Sequence, residues 1–132
     1  MPSAADAELL GAARAACAQA YAPYSRLTVG AALRCADGTI VTACNVENAS
    51  YGLSMCAERG ALFAAVAAGH RTFEAIAIAA ADDAPTPPCG ACRQVLSEFG
   101  GRVRVLYGTR AAWLDDLLPD AFDGSFATRP RL

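Results

Sequence analysis

Apolar residues recur at near-helical spacing through the opening segment, at Leu9, Leu10, Ala13, Cys17 and Ala20, and predict a helix over 5–21. Ser3 followed three residues later by Asp6 is a start signal, and Pro23 is a stop. Two strand-like runs follow at 29–35 and 39–43, joined by the hairpin signal Ala36-Asp37-Gly38. A loop over 45–54 leads to a second helix that begins near Cys56 and stops at Gly69. Residues 73–81 are apolar after Glu74, as in a strand buried on both faces. Beyond Pro85, Pro87 and Pro88, a third helix opens at Cys89 and ends at Gly100-Gly101. Residues 102–107 read as a strand and 113–118 as a short helix ended by Pro119. The order helix, hairpin, helix, strand, helix, strand implies an α/β sandwich, with helices on both faces of a mixed sheet. With no repeat or low-complexity linker, residues 1–132 form one domain in this reading.

The second helix is apolar all round from Ala61 to Ala68. Such a helix needs cover on every side. A small sheet covers one side, and a further subunit is the simplest cover for the other.

Composition narrows the function classes. The chain is 55% hydrophobic and 18% charged with a net charge of −2, which excludes a disordered chain. It has no basic stripe for a polynucleotide. No basic start precedes an apolar run and no apolar span suits a membrane, so a cytoplasmic location is expected. Six cysteines in that setting read as metal ligands and buried free thiols rather than a disulfide scaffold.

Those cysteines fall into two groups. Cys56, Cys89 and Cys92 sit in Cys56-Ala57-Glu58-Arg59 and Pro88-Cys89-Gly90-Ala91-Cys92, whereas Cys17, Cys35 and Cys44 lie among apolar residues. Three thiols make a three-ligand zinc site with one position open to water. Glu58 is placed to move protons to and from that water. Cys56 and Cys89 fall at predicted helix starts, where amides and dipole favour a thiolate. Three thiolates exceed the charge of one zinc. Arg59 and Arg93, close to the ligands in sequence, are expected to hydrogen-bond sulfur and offset the excess. His70, the one histidine, follows the second helix and lies about 20 Å from its start, too far to join. Two other readings of the Cys89–Cys92 pair stay open: a thiol redox pair, and a closed structural zinc site with Cys44 as fourth ligand. Glu58 would also serve as a plain helix-start charge. Asn45 and Asn48, the only asparagines, share one loop with Glu47. Together they offer donors and acceptors suited to sugar hydroxyls, although asparagine also favours turns.

Over nearly its whole length the chain resembles the small, homotetrameric cytidine deaminases. The resemblance rests on Tyr21-Ala22-Pro23-Tyr24-Ser25, Val29-Gly30-Ala31-Ala32-Leu33, Cys44-Asn45-Val46-Glu47-Asn48, the two cysteine motifs with Arg93-Gln94-Val95, and Leu117-Leu118-Pro119-Asp120-Ala121-Phe122. It implies a three-layer sandwich with a mixed central sheet of about five strands, and one zinc per subunit on Cys56, Cys89 and Cys92. Glu58 becomes the proton shuttle and the Ala57 amide a contact to the base. Asn45 and Glu47 become ribose contacts, chiefly to the 3′-hydroxyl. Phe122 is carried into a neighbouring subunit's base pocket. The reaction implied is hydrolytic deamination of cytidine and 2′-deoxycytidine in pyrimidine salvage, by a homotetramer whose active sites neighbouring subunits complete. Leu27 departs from the family pattern, which has Phe there. The base pocket stays apolar but loses an aromatic face worth ~1 kcal/mol. The alternatives are a deaminase of a modified cytosine nucleoside or nucleoside antibiotic, and a non-catalytic zinc-stabilised module.

Overall fold

The computed structural model describes residues 3–128. Helix α1 (Ala4–Ala16) opens with a reciprocal cap, in which Ser3 Oγ accepts from the Asp6 amide and the Asp6 carboxylate accepts from the Ser3 amide. It ends earlier than its apolar spacing predicts. A 3-10 turn follows at Cys17–Gln19. Tyr21 then turns extended to pair with the loop beyond the hairpin, donating to Asn45 O at 3.0 Å and accepting from Glu47 N at 2.8 Å. That pairing satisfies main-chain groups a longer helix would have used itself.

Strands β1 (Val29–Cys35) and β2 (Ile40–Cys44) form the expected hairpin. Helix α2 (Ala57–Ala67), β3 (Phe73–Ala80), α3 (Gly90–Ser97) and β4 (Arg104–Tyr107) follow. A fifth strand, β5 (Arg110–Trp113), runs into the short α4 (Leu114–Leu117). The sheet order is β2-β1-β3-β4-β5. Within this sheet, among the described residues, only the β3–β4 pair is parallel. A parallel pair needs a crossover, and α3 lies in it.

Alternation along β1 and β3 sorts the two faces. Leu33, Ile76 and Ile78 meet α2 and α3, together with Leu62 and Leu96. The small residues Ala32, Ala75 and Ala77 meet Leu9 and Ala13 of α1. Small side chains let α1 press close: a Cβ on Gly30 would lie 1.9 Å from Ala13 O. The result is the expected three-layer α/β arrangement. The outward face of α2 is uncovered within one chain, and Phe63 is 48% exposed there.

Asp6 also joins α1 to the far strands. Its carboxylate, 3% exposed as a residue, receives two 2.9 Å hydrogen bonds from Arg104. The Arg104 hydrogen bond holds its pKa below the ordinary carboxylate value, against the opposing effect of burial. A lowered folded pKa gives stability that is present above the unfolded value of about 3.9 and lost as pH falls through the folded one. Asp6→Asn should therefore cost about 2 kcal/mol at pH 7. In urea denaturation, its gap to the unsubstituted protein should narrow below about pH 4.

Candidate metal centre and active site

The starts of α2 and α3 supply three thiols to one point. Cys56 and Cys89 are the N-cap residues of these helices, both with extended backbone, and Cys92 lies in the first turn of α3. The Cys92 amide donates to Cys89 Sγ at 3.4 Å. Cys56 Sγ and Cys89 Sγ are 3.7 Å apart, and Cys89 Sγ and Cys92 Sγ 3.2 Å. Sulfurs at zinc–thiolate distance in a tetrahedral site stand about 3.8 Å apart, so the donor set fits zinc with little adjustment. Cys44 is not in this cluster.

The charge pattern also favours a cation. A hydrogen bond from Cys92, followed by one from Arg59, holds the Cys56 thiol down to about 5. The Cys92 thiol is pushed well up by its bond to Cys56 and by burial. The cluster thus takes one negative charge readily and resists the next until a cation shares it. Arg59 donates to Cys56 Sγ at 3.5 Å, and its own pKa rises because of that bond. Its Nε is buried without a hydrogen-bond partner among the described residues.

Arg93 departs from the expected contact with sulfur. Its Nε donates to Pro88 O at 2.9 Å and its NH1 to Leu117 O at 2.8 Å. Loop and helix-end carbonyls lack partners of their own, and the planar guanidinium bridges two of them at once. Arg93 thus braces the loop that carries Cys89.

Glu58 lies one residue into α2 and is 4% exposed. Burial, and then the charge of Cys56, push its carboxyl above the ordinary range. The fully buried Ala57 begins the helix, and its amide is among those a helix leaves without an internal acceptor. Cys56, Ala57, Glu58 and Cys89 open into a cleft of about 270 Å³ that also contains Leu27, Asn45 and Glu47.

Asn45 clamps the cleft wall, with Oδ1 accepting from Val29 N at 2.9 Å and Nδ2 donating to Leu27 O at 2.8 Å. One amide hydrogen and one lone pair remain for a ligand. Glu47 accepts from the amides of Tyr24 and Ser25 and from the Ser25 hydroxyl. The Ser25 bonds hold its carboxyl below the ordinary range. Asn48 instead receives the Ser50 amide in a local turn. Phe122 is 67% exposed and lies outside this cleft, beside Pro119 and Asp115. Thr86, Pro87 and Met55 line the cleft without having been singled out in the sequence. Pro87 precedes the Cys89 motif and Met55 the Cys56 motif, and that adjacency was the available signal.

Residues 3–109 match the family described as the cytidine and deoxycytidylate deaminase zinc-binding region. The chain belongs to this deaminase family. It is 45% identical over 121 residues to a cytidine deaminase of Sporosarcina psychrophila, covering 87% of this chain and 89% of that protein. The cytidine deaminase structure from Burkholderia pseudomallei superposes with a TM-score of 0.83 at 52% identity, covering 88% of this chain and 98% of the other. That from Mycobacterium tuberculosis gives 0.84 at 46%, covering 88% and 95%. The Cys56, Cys89 and Cys92 triad fits the zinc site of such a family, and Cys44 does not belong to the triad.

Proposed function

We propose that the chain hydrolyses cytidine and 2′-deoxycytidine to uridine and 2′-deoxyuridine with release of ammonia. The observation that carries this reading is the opening of the thiol triad and buried Glu58 into the same cleft as Asn45 and Glu47. Cys56, Cys89 and Cys92 would hold the ion. Bound there, zinc supplies Lewis acidity that lowers the pKa of water at the open position.

Glu58 takes a proton from water as oxygen bonds to C4 of the base, and passes it to N3. A second proton transfer through Glu58 lets the C4–N bond break and ammonia leave. The Ala57 amide orients the base, and Leu27 supports its face. Arg59 offsets the charge of the thiolates, and Arg93 supports the ligand loop. Asn45 and Glu47 hold the ribose through its 3′-hydroxyl. Phe122 reaches the base pocket of a neighbouring subunit in a cytoplasmic homotetramer. The exposed Phe63, Tyr51 and Leu53 are apolar surface that such an assembly would cover.

A nucleoside suits the cleft better than a nucleotide. Among the described residues no basic side chain lines it, and the anionic Glu47 does. A 5′-phosphate beside Glu47 would meet repulsion with no basic side chain of the lining to offset it.

The test is ultraviolet monitoring of deamination across cytosine, cytidine, deoxycytidine and their 5′-phosphates. Both nucleosides should turn over with kcat/KM within about tenfold, since Asn45 and Glu47 are assigned to the 3′-hydroxyl and one hydrogen bond to the 2′-hydroxyl is worth about 1 kcal/mol. Turnover confined to nucleotides, or absent throughout, would refute the proposal.

A further inference from the structure

We propose a second metal site, formed by Cys35, Asp37 and His70, that takes a zinc-like divalent ion through one thiolate, one carboxylate oxygen and one imidazole nitrogen. The ligand atoms come from three places: the end of β1, the β1–β2 turn, and the segment just after α2. All lie within 4.8 Å of one another. His70 Nδ1 is 3.8 Å from Asp37 Oδ2. Ligands at 2.0–2.3 Å in a tetrahedral site stand about 3.3–3.8 Å apart. Closing the site takes a movement of about 1 Å, within reach of side-chain rotation.

The backbone is already set for this. Asp37 Oδ1 accepts the Thr39 amide at 2.9 Å, which leaves Oδ2 on the His70 side. The turn is closed by Cys35 N to Thr39 O at 2.8 Å and Gly38 N to Cys35 O at 2.9 Å. His70 is anchored by its amide to Ala65 O at 3.0 Å, and Ala36 N to Thr72 O at 2.9 Å ties the turn to the segment after it. Cys35 is fully buried, Asp37 is exposed and His70 is partly exposed. The carboxylate and the imidazole thus stand on the solvent side of the buried sulfur.

The donor set selects the ion class. Calcium and magnesium require all-oxygen shells, whereas sulfur with imidazole favours zinc and its neighbours. Binding displaces the Cys35 thiol proton, so one proton leaves for each ion bound. Thiolate, carboxylate and neutral imidazole then balance a dication, and no net charge is buried. The site stands at the far end of α2 from Cys56, about 20 Å away along the helix. It would staple the hairpin to the helix end without touching the cleft. A simple Asp37–His70 ion pair is the competing account, and it predicts no metal.

The test uses untagged enzyme carrying its one resident zinc per subunit, dialysed against micromolar free cobalt(II). One further equivalent should bind, with a new thiolate-to-cobalt charge-transfer band and a rise in Tm. His70→Ala and Asp37→Asn should each weaken that uptake at least about tenfold. Deaminase activity should be unchanged in both variants. No second equivalent at millimolar cobalt, uptake only by displacing resident zinc, or uptake undiminished in His70→Ala would each overturn the proposal.

Discussion

Glu58→Gln should lower kcat for cytidine by about 10⁴-fold while one zinc per subunit is retained. General acid–base catalysis is worth about 10²–10⁴-fold for a single transfer. In the proposed reaction Glu58 handles the proton leaving water, the proton reaching N3 and the proton on the departing amine, so the upper end applies. The substitution keeps the shape of the side chain and removes none of the three thiols. Burying an ionisable carboxyl costs stability, and Glu58 is 4% exposed. The amide should therefore leave Tm unchanged or raise it. Loss of turnover with metal and fold intact would separate a proton-carrying role from a structural one. A kcat within tenfold of the unsubstituted enzyme, at full zinc occupancy, would remove Glu58 from the mechanism. Failure to bind zinc would place its role in the metal site instead.

Much of this site is legible in the sequence because its parts are local. Cys89 and Cys92 share one helix start, as do Cys56 and Glu58 at the other, and local signals set both starts. Strand β1 was legible for a similar reason, since its apolar run ends at a turn whose residues have few alternatives. The parts that could not be read depend on partners that the apolar pattern does not reveal, near in the chain for β5 and distant for the rest. Strand β5 has two alanines and no alternating pattern. It exists because β4 pairs with it, and Arg102 lies 4.2 Å over the ring of Trp113 at its end. Arg93 stands one residue from Cys92 in sequence, yet Leu117 O, 24 residues away, draws its guanidinium elsewhere. The Asp6–Arg104 pair spans 98 residues, beyond any local periodicity. His70 has the same lesson: its distance from Cys56 along α2 excludes it from one thiol site and brings it beside Cys35 and Asp37.

Cys92→Ala should lose its zinc, and deamination with it, on dialysis against a chelator that leaves the unsubstituted protein loaded. Zinc held by four protein ligands gains about 10–16 kcal/mol on binding, or about 3 kcal/mol per ligand. Losing one ligand of three should weaken affinity by about 10²–10³-fold. Cys92 is fully buried in the first turn of α3, against Cys89 Sγ. No other thiol belongs to the cluster as a substitute. The stability effect follows from linkage: an ion at 1,000 times its Kd stabilises the fold by about 4 kcal/mol. The variant, at the same free zinc, should lose about 3 kcal/mol of this. Metal content after dialysis against a chelator and urea denaturation with and without zinc measure both quantities. The two apo proteins should differ far less than the two zinc-equilibrated ones, because alanine fills most of the space of cysteine and removes a buried polar group. Full zinc retention by Cys92→Ala after chelation would show that the ion rests on other ligands. An apo difference as large as the zinc-equilibrated one would make Cys92 a packing residue.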